Sequence, residues 1–193
     1  PDNFIFNIKV YGALTGQGVD TKTLPKDISE ILPKKDINGK YVYIKEPACL
    51  NSIAERVRES LTPLIRSNKL GLLVFQYPPW FQYGKANLDY MLRCRELMQG
   101  LPAAVEFRHG SWLATGTRDS VFKFLVKNGL TYITADEPQY GTQARVPFVT
   151  GTTTDIAYFR FHGRNKANWL KKGIETSLRY SYEYSDDELK GFV

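Results

Sequence analysis

The chain has 193 residues, of which 42 % are hydrophobic and 24 % are charged, and its formal net charge at pH 7 is +6. This basic excess is modest and spread along the sequence, so it is compatible with anionic ligands but does not by itself indicate nucleic-acid binding. Low-complexity and membrane-spanning classes are excluded, because no stretch approaches the roughly 18 apolar residues of a membrane helix.

Five segments have the alternating or continuously apolar pattern of β-strands. They are Phe4–Val10, Leu70–Tyr77, Ala103–His109, Thr131–Asp136 and Ala157–Gly163. From the second segment onward their starts lie about 26 to 33 residues apart, which is the length of a βα unit.

Helical spacing of apolar residues fills the gaps between the later strands. The predicted helices cover Leu50–Ser67, Asn87–Gly100 and Thr117–Gly129, and a further helix is expected to begin at Ser185. Residues Gly12–Pro47 fit this pattern least well. Within them Tyr41–Pro47 has short strand character and is expected to lie on the rim.

Alternating strands and helices predict a parallel α/β sheet. The spacing favours a TIM-type (β/α)₈ barrel, whose length of about 250 residues gives roughly 31 per unit. At that rate this chain holds only about six units, so we expect one incomplete barrel domain over residues 1–193 that lacks N-terminal units and a closing strand. Neither dinucleotide-binding nor P-loop glycine motifs follow any strand, which disfavours an open nucleotide-binding sheet.

The ends and the cysteines add further expectations. The start, PDNFIFNIKVYG, lacks the basic and apolar regions of a signal peptide, so a soluble cytoplasmic protein is expected. Because the chain opens at Pro1 rather than Met, we expect a piece of a longer protein. Cys49 and Cys94 do not have the spacing of a zinc site or a disulfide framework and are expected to be buried thiols.

Polar side chains recur at the carboxyl ends of the predicted strands, where ligands bind in parallel α/β folds. They are Lys9, Gln76, Glu106, Arg108, Asp136, Arg160 and His162, with His109, Trp112 and Arg164 in the following loops. Charged residues are costly to bury unless they are paired. Their recurrence at one end of several strands therefore indicates a lined cavity.

Each residue taken alone also has a purely structural interpretation. Glu106 and Arg108 could form an ion pair between strands, and Asp136 could cap the following turn. His109 fits a loop residue better than a ligand, and Gln76 could satisfy backbone groups where the sheet ends. It is the convergence of these residues, rather than any one of them, that favours a site.

The last predicted strand sharpens this question. Tyr158, Arg160 and His162 fall on one face of the strand, whereas Phe159 and Phe161 fall on the other. We expect the face with Arg160 and His162 to point toward the barrel axis.

The residue types define the chemistry that the site could support. Lys9, Arg108, Arg160 and Arg164 form a predicted cationic wall suited to phosphate or carboxylate groups. Glu106, Asp136 and His162 are the candidate catalytic residues. Because neighbouring arginines hold carboxylates ionised, His162 is the better proton donor.

Other kinds of chemistry find less support. A metal site would have to combine His109 or His162 with carboxylates beside a cationic wall that repels metal ions. No metal is therefore predicted, and no cofactor is implied. A serine or cysteine nucleophile is disfavoured, because no G-x-S-x-G motif is present and neither cysteine ends a strand.

The loop FQYPPWFQYGK supplies four aromatic residues, Tyr77, Trp80, Phe81 and Tyr83, beside a strand end. Some of them are expected to pack the loop onto the rim. An exposed subset could stack on a base or a sugar.

Five motifs in this order, FQYPPWF, VEFRHGSW, ADEPQ, YFRFHGRN and RYSYEYSDDEL, resemble the YecE-like family (domain of unknown function 72). The resemblance implies a TIM barrel with shared polar residues at its C-terminal mouth. By motif these are Gln76, Glu106, Arg108, Trp112, Asp136, Arg160, His162, Gly163, Arg164 and Tyr180. The chain departs from the family pattern at Gly110, where proline is usual, and at Ser181, where aspartate is usual. The family also implies strands before and after this chain.

Three functional hypotheses follow. The first is an enzyme, such as a hydrolase or lyase, acting on a small phosphate- or carboxylate-bearing substrate. The second is a nucleic-acid-binding or nucleic-acid-processing protein that uses the basic mouth and the Trp80 loop, with steeply salt-dependent binding. The third is a ligand sensor that binds tightly without turnover.

Overall fold

The structure is a computed structural model that describes residues 3–33, 37, 39–139 and 145–192. These residues form seven strands: β1 Phe6–Lys9, β2 Val19–Asp20, β3 Tyr41–Val42, β4 Leu70–Gln76, β5 Ala103–Glu106, β6 Leu130–Asp136 and β7 Tyr158–Phe161. Five of them make one parallel sheet in the order β1-β4-β5-β6-β7, and β2 and β3 form a separate antiparallel pair. The fold is a mixed α/β half-barrel with a curled parallel sheet.

Three of the seven described α-helices connect successive strands of this sheet. Within the described residues the seven helices are α1 Lys26–Ile31, α2 Pro47–Arg66, α3 Lys85–Leu97, α4 Arg118–Lys127, α5 Lys166–Trp169, α6 Thr176–Tyr180 and α7 Asp186–Lys190. The long helix α2 starts with Pro47 in its first turn, where a missing N–H costs nothing. Among the described residues, no helix combines the length and the hydrophobicity required to cross a bilayer.

The two faces of the sheet bury different sets of side chains, because successive residues of a strand point to opposite sides. Outer-face residues such as Leu73, Phe75 and Val105 pack with the helices in the main core. The inner face has a smaller apolar cluster of Leu72, Val74, Ala104 and Ile133, against which Tyr158 packs. Polar residues that continue the inner-face alternation therefore emerge at the carboxyl end of the sheet.

All five predicted strands of the sheet are present, although some are shorter than expected. For example, β5 ends at Glu106 rather than at His109, and β7 covers Tyr158–Phe161 only. The long helices α2, α3 and α4 and the C-terminal helix α7 match predicted helices, and Ser185 caps α7 in a complete capping box with Glu188. The helices α5 and α6 were not predicted, because elements of four and five residues are too short to show a period.

The two edges of the sheet carry exposed apolar side chains. At the β1 edge Phe4, Ile5 and Phe6 are exposed, and at the β7 edge Phe159 and Phe161 are exposed. Edge strands with unpaired backbone groups and apolar side chains offer surfaces for further pairing. Within the described residues these side chains are covered only in part, since the ring of Phe161 contacts those of Tyr184 and Phe192 and is still 49 % exposed.

Gly163 lies in the turn that follows β7 and packs tightly against the C-terminal segment. Its φ of +76° is in the left-handed region, and an added Cβ would lie 2.6 Å from Cβ of Tyr182. Its backbone N–H also donates a hydrogen bond of 3.0 Å to Oη of Tyr184. The turn therefore requires glycine both for its conformation and for the close approach of the two chain segments.

We expect Gly163→Ala to lower the free energy of unfolding more than Gly173→Ala does. Gly173 has a similar φ of +74° but no atom within 4 Å of the added Cβ, so its variant bears only the conformational cost of about 1 kcal/mol. Gly163→Ala adds a steric clash and should lose at least ~2 kcal/mol. Urea unfolding of both variants measures the difference, and equal losses would contradict the tight packing at Gly163.

Candidate functional site

Glu106, the last residue of β5, forms the centre of a charged cluster on the inner face of the sheet. Its side chain has no exposed surface. Oε1 accepts a hydrogen bond of 2.9 Å from Nε2 of Gln76 and lies 2.5 Å from Nη2 of Arg108. Oε2 accepts a hydrogen bond from Nη1 of Arg160. Three strands, β4, β5 and β7, thus have their carboxyl ends joined through one carboxylate.

The charge state of Glu106 follows from these partners. Burial alone would raise its pKa, but hydrogen bonding to His162 and the charges of Arg108 and Arg160 outweigh it and lower the pKa to about 2. The carboxylate is therefore ionised at neutral pH and has partners on both oxygens. This geometry suits Glu106 to orienting the arginines rather than to donating a proton.

Lys9 extends the cluster to β1 at the sheet edge. Its Nζ donates a hydrogen bond of 2.8 Å to Oε1 of Gln76, whose own amide nitrogen donates to Glu106. Burial lowers the pKa of Lys9, with Arg108 and Arg160 acting in the same direction and Glu106 opposing them. A chain of side chains therefore connects the edge strand β1 to the central carboxylate.

His162 follows β7 and is buried, with 6 % of its surface exposed. Its Nε2 lies 3.0 Å from Nη2 of Arg108 and 3.4 Å from Oε1 of Glu106. Nε2 of His162 therefore faces both a guanidinium donor and a carboxylate acceptor, and the tautomer of a neutral ring decides which of the two it bonds. The ring centroids of Trp169 and Tyr180 lie 6.2 and 5.8 Å from the imidazole, so two aromatic rings flank it.

Glu137 is a second buried carboxyl in the cluster, and it is not among the site residues predicted from the sequence. Its Oε2 accepts a hydrogen bond of 3.0 Å from Nη1 of Arg108. Burial raises its pKa, although the positive charge of Arg108 acts against this shift. Strand alternation indicates this position. Ile133 and Ala135 pair with the inner-face residues Tyr158 and Arg160, and Glu137 is the next residue in the same alternation.

We call this set the inner-face cluster. It contains Lys9, Gln76, Glu106, Arg108, Glu137, Arg160 and His162. Arg108 connects most of it, because its guanidinium contacts both carboxyls and the imidazole. Its Nε is buried and has no partner among the described residues.

Asp136 and Arg164 lie on the opposite face of the sheet from the inner-face cluster. Asp136 is in register with Phe161, whose ring points outward, whereas Ala135 is in register with Arg160. The carboxylate accepts from Nε and Nη2 of Arg164 at 2.9 to 3.1 Å and from Oη of Tyr184 at 2.7 Å. The prediction placed Asp136 and Arg164 in the mouth by their position at a strand end, but alternation turns Asp136 to the outer side, and Arg164 follows the left-handed turn at Gly163 and binds Asp136 there.

The outer-face tie, which consists of Asp136, Arg164, Tyr184 and Glu188, fastens the C-terminal segment. Nη1 of Arg164 donates to Oε1 of Glu188 at 3.1 Å, and Tyr182 donates to the same oxygen at 2.7 Å. The hydrogen bonds to Asp136 raise the pKa of Arg164 further above its ordinary value. These contacts describe a structural anchor.

Trp112 lies in the core rather than in the inner-face cluster. It is fully buried, its ring stacks on Phe81 and Phe107, and its Nε1 donates a hydrogen bond of 2.6 Å to the carbonyl of Phe81. It thereby fixes the loop after β4. Of the predicted ligand-binding aromatics, the structure brings only Tyr180 next to the cluster.

His109 caps the short turn of helix that holds Ser111. Its Nδ1 accepts from the backbone N–H of Ser111 at 3.1 Å and lies 2.8 Å from the hydroxyl of the same residue. Burial lowers the pKa of His109. The loop role predicted for His109 matches this geometry.

Cysteine and metal chemistry have no further candidates here. Cys49 and Cys94 are both buried and unpaired, and burial raises the pKa of Cys94 to about 11. In the part of the chain that the structure describes, no group of three or more His, Cys, Asp and Glu residues is placed to hold a metal ion.

The net positive charge of the cluster is smaller than the sequence predicted. Three cations, Lys9, Arg108 and Arg160, face two carboxyls, Glu106 and Glu137, while Arg164 belongs to the outer-face tie. The cluster therefore has one surplus positive charge when both carboxyls are ionised. Of the two cluster arginines, Arg160 has the more exposed side chain, at 31 % against 15 % for Arg108.

The chain is similar to longer proteins that have been described or solved. It is 31 % identical to the UPF0759 protein YunF of Bacillus subtilis (strain 168), and the match covers 98 % of this chain and 60 % of that protein. A crystal structure of a DUF72 family protein from Thermotoga maritima is 31 % identical, with a TM-score of 0.73 over 100 % of this chain and 60 % of that one. A DUF72 family protein from Enterococcus faecalis is 29 % identical, with a TM-score of 0.76 over 100 % and 62 %.

These matches cover nearly all of this chain but less than two thirds of each relative. The chain thus spans about 60 % of the length of the curated relative. The family described as "Protein of unknown function DUF72" matches residues 1–193. Because this match runs from the first residue to the last, the chain belongs to the DUF72 family, as its five ordered motifs predicted.

Proposed function

We propose that the inner-face cluster is the substrate site of an enzyme that acts on a small molecule carrying a phosphate or carboxylate group. The observation that carries this proposal is the pairing of the buried, ionised Glu106 with two guanidiniums at the carboxyl end of a parallel sheet. Such pairing fixes the orientation of Arg108 and Arg160 before a ligand arrives. Preorganised cations of this kind lower the free energy needed to bind an anion.

We propose further that the half-barrel is part of a TIM-type barrel and that residues 1–193 belong to one domain of it. The exposed apolar side chains at the β1 and β7 edges support additional strands there, since a closed barrel has no edges. The greater length of the relatives agrees with this proposal. In TIM barrels the substrate binds at the carboxyl ends of the strands, where the inner-face cluster lies.

Arg160 is the proposed anchor for the anionic group. In the part of the chain that the structure describes, the bond from Nη1 to Glu106 is the only hydrogen bond of its guanidinium. The remaining donors form the planar fork that binds phosphate or carboxylate through two parallel bonds. Lys9 is linked to Glu106 through the side chain of Gln76 and supplies a second positive charge on the same face.

Proton transfer is assigned to His162 and Glu137. His162 has a ring nitrogen within reach of both Arg108 and Glu106, and Glu137 has a pKa that burial raises above its ordinary value. Glu106 takes the role of a positioning group, because its pKa of about 2 keeps it ionised. The set suits an acid–base reaction of the hydrolase or lyase class, with Glu137 in the role that was predicted for Asp136.

The nucleic-acid hypothesis fits the site less well. Binding along a phosphate backbone requires several cations that can exchange their counterions for phosphates. Arg108 and Arg160 are already paired with Glu106, and Arg164 is paired with Asp136 and Glu188. The exposed Trp80 remains available for stacking, so oligonucleotides belong in the ligand screen as a competing outcome.

We expect phosphorylated or carboxylated metabolites of one class to raise the melting temperature of the full-length protein, and Arg160→Ala to abolish the rise. A ligand at a hundredfold excess over its Kd adds about 3 kcal/mol to the folded state, or roughly 5 to 10 °C. Arg118→Ala is the matched control, because it removes an exposed guanidinium from α4.

A rise that persists in Arg160→Ala would contradict the site. Stabilisation by oligonucleotides alone that fades as salt increases would instead support the nucleic-acid hypothesis.

The lowered pKa of Glu106 predicts a pH-dependent contribution to stability. A carboxyl whose pKa is lowered from 4.5 to about 2 contributes ~3 kcal/mol above pH 4.5, and this contribution is lost as the pH falls toward 2. Glu106→Gln has no such titration, removes the counter-ion of Arg160 and leaves Arg108 paired with Glu137 alone. The stability gap between wild type and Glu106→Gln should therefore shrink by about half from pH 7 to pH 3.

Denaturant unfolding at both pH values measures this gap. Glu55→Gln on the exposed surface of α2 is the control for loss of a surface carboxylate and should show a small gap. A constant gap for Glu106→Gln would show that the carboxyl is not held ionised.

A further inference from the structure

A second concavity lies on the rim, between the segment that follows β3 and the loop that follows β4. We call it the rim groove, and its walls include Tyr43, Lys45, Trp80, Asn87, Tyr90 and Arg93. Its volume is about 540 Å³, which is within the range of small-molecule sites. None of these side chains belongs to the inner-face cluster.

The wall of the rim groove displays aromatic surface. Trp80 is 58 % exposed and Tyr43 is 52 % exposed, although both are large apolar rings. Their centroids lie 6.2 Å apart at an interplanar angle of 73°. The two rings therefore form an edge-to-face contact that stabilises both. The floor is apolar and buried, with Ile44, Leu50 and Phe81. This arrangement leaves a ring face available for a planar ligand.

The charged side chains of the rim groove are both positive. Lys45 and Arg93 line it, and among the described residues neither forms a salt bridge, in contrast to Arg108 and Arg160. Among the described residues that line the groove there is no carboxylate. Glu46 lines an adjoining groove of about 350 Å³ that shares Tyr43 and Lys45. The rim groove thus combines two unpaired cations with stacking surface.

Asn87 completes the polar part of the groove. Its Nδ2 donates a hydrogen bond of 2.7 Å to the carbonyl of Gln82, which leaves Oδ1 as an acceptor. Apolar pockets with a few convergent polar groups are the usual form of small-molecule sites, in which the polar groups fix the orientation of the ligand.

We infer that the rim groove is a separate binding site for a small molecule that combines a planar aromatic ring with one anionic group. The ring stacks on Trp80, and the anionic group is held by Lys45 and Arg93. This site is independent of the proposed substrate site. Both open at the same end of the sheet, since Gly16 lines the groove and the adjacent Gln17 donates to the carbonyl of Gln76.

Three probes test the chemistry of the ligand by isothermal titration calorimetry with the full-length protein near neutral pH. 1-Naphthoate carries both the ring and the charge, 1-naphthamide lacks the charge, and cyclohexanecarboxylate lacks the planar ring. We expect naphthoate to bind, and each of the other two to bind about 10-fold more weakly. Equal affinity for the acid and the amide, or no binding of naphthoate, would overturn the inference.

Four variants test the location of the naphthoate site. Trp80→Ala and Arg93→Gln should each weaken naphthoate binding by about 10-fold or more, since each removes one of the two recognition elements. Arg118→Gln is the control for loss of an exposed guanidinium and should leave binding unchanged. Arg160→Ala should also leave it unchanged. Loss of binding in Arg160→Ala with full binding in Trp80→Ala would assign naphthoate to the inner-face cluster and overturn the inference.

Discussion

The arrangement of the inner-face cluster depends on how the charge of Glu106 is balanced. Moving an ionised carboxylate out of water costs several kcal/mol, and Glu106 has no exposed surface. Two guanidiniums and one amide offset this cost, and they come from β4, from the segment after β5 and from β7. The same bonds that stabilise the charge therefore hold the strand ends at fixed spacing. Stability and the geometry of the proposed site rest on one set of contacts.

Side chains alternate between the two faces along β6, and this alternation assigns two neighbouring carboxyl residues to different networks. Asp136 and Glu137 are neighbours, yet Asp136 belongs to the outer-face tie and Glu137 to the inner-face cluster. Their pairing partners differ accordingly, since Asp136 binds Arg164 and Glu137 binds Arg108. The result is one carboxylate that anchors the C-terminal segment and one buried carboxyl with a raised pKa beside the proposed substrate.

Much of this arrangement could be predicted from the sequence. The periodic spacing of apolar residues predicted the five strands of the sheet and the long helices. The alternation of side chains in β7 correctly predicted that Arg160 and His162 lie on the inner face. Position at a strand end was a weaker guide than alternation, which is why Asp136 was preferred to Glu137.

Contacts between distant segments could not be predicted in the same way. A lone tryptophan in a loop has no period, so the burial of Trp112 against Phe81 and Phe107 is visible only in three dimensions. The rim groove likewise depends on the approach of Tyr43 to Trp80 across 37 positions of sequence.

The outer-face tie also has a consequence for the order in which the mouth assembles. The helices α5 and α6 pack mainly on each other, and Asp136 and Gly163 fasten the segment that follows them. These two anchoring residues exist as a docking surface only after β6 and β7 have paired. The placement of the Trp169 and Tyr180 rings beside His162 therefore depends on the pairing of β6 with β7. A local opening of this segment would expose the imidazole to solvent without breaking the hydrogen bonds of Glu106 to Gln76 and Arg160.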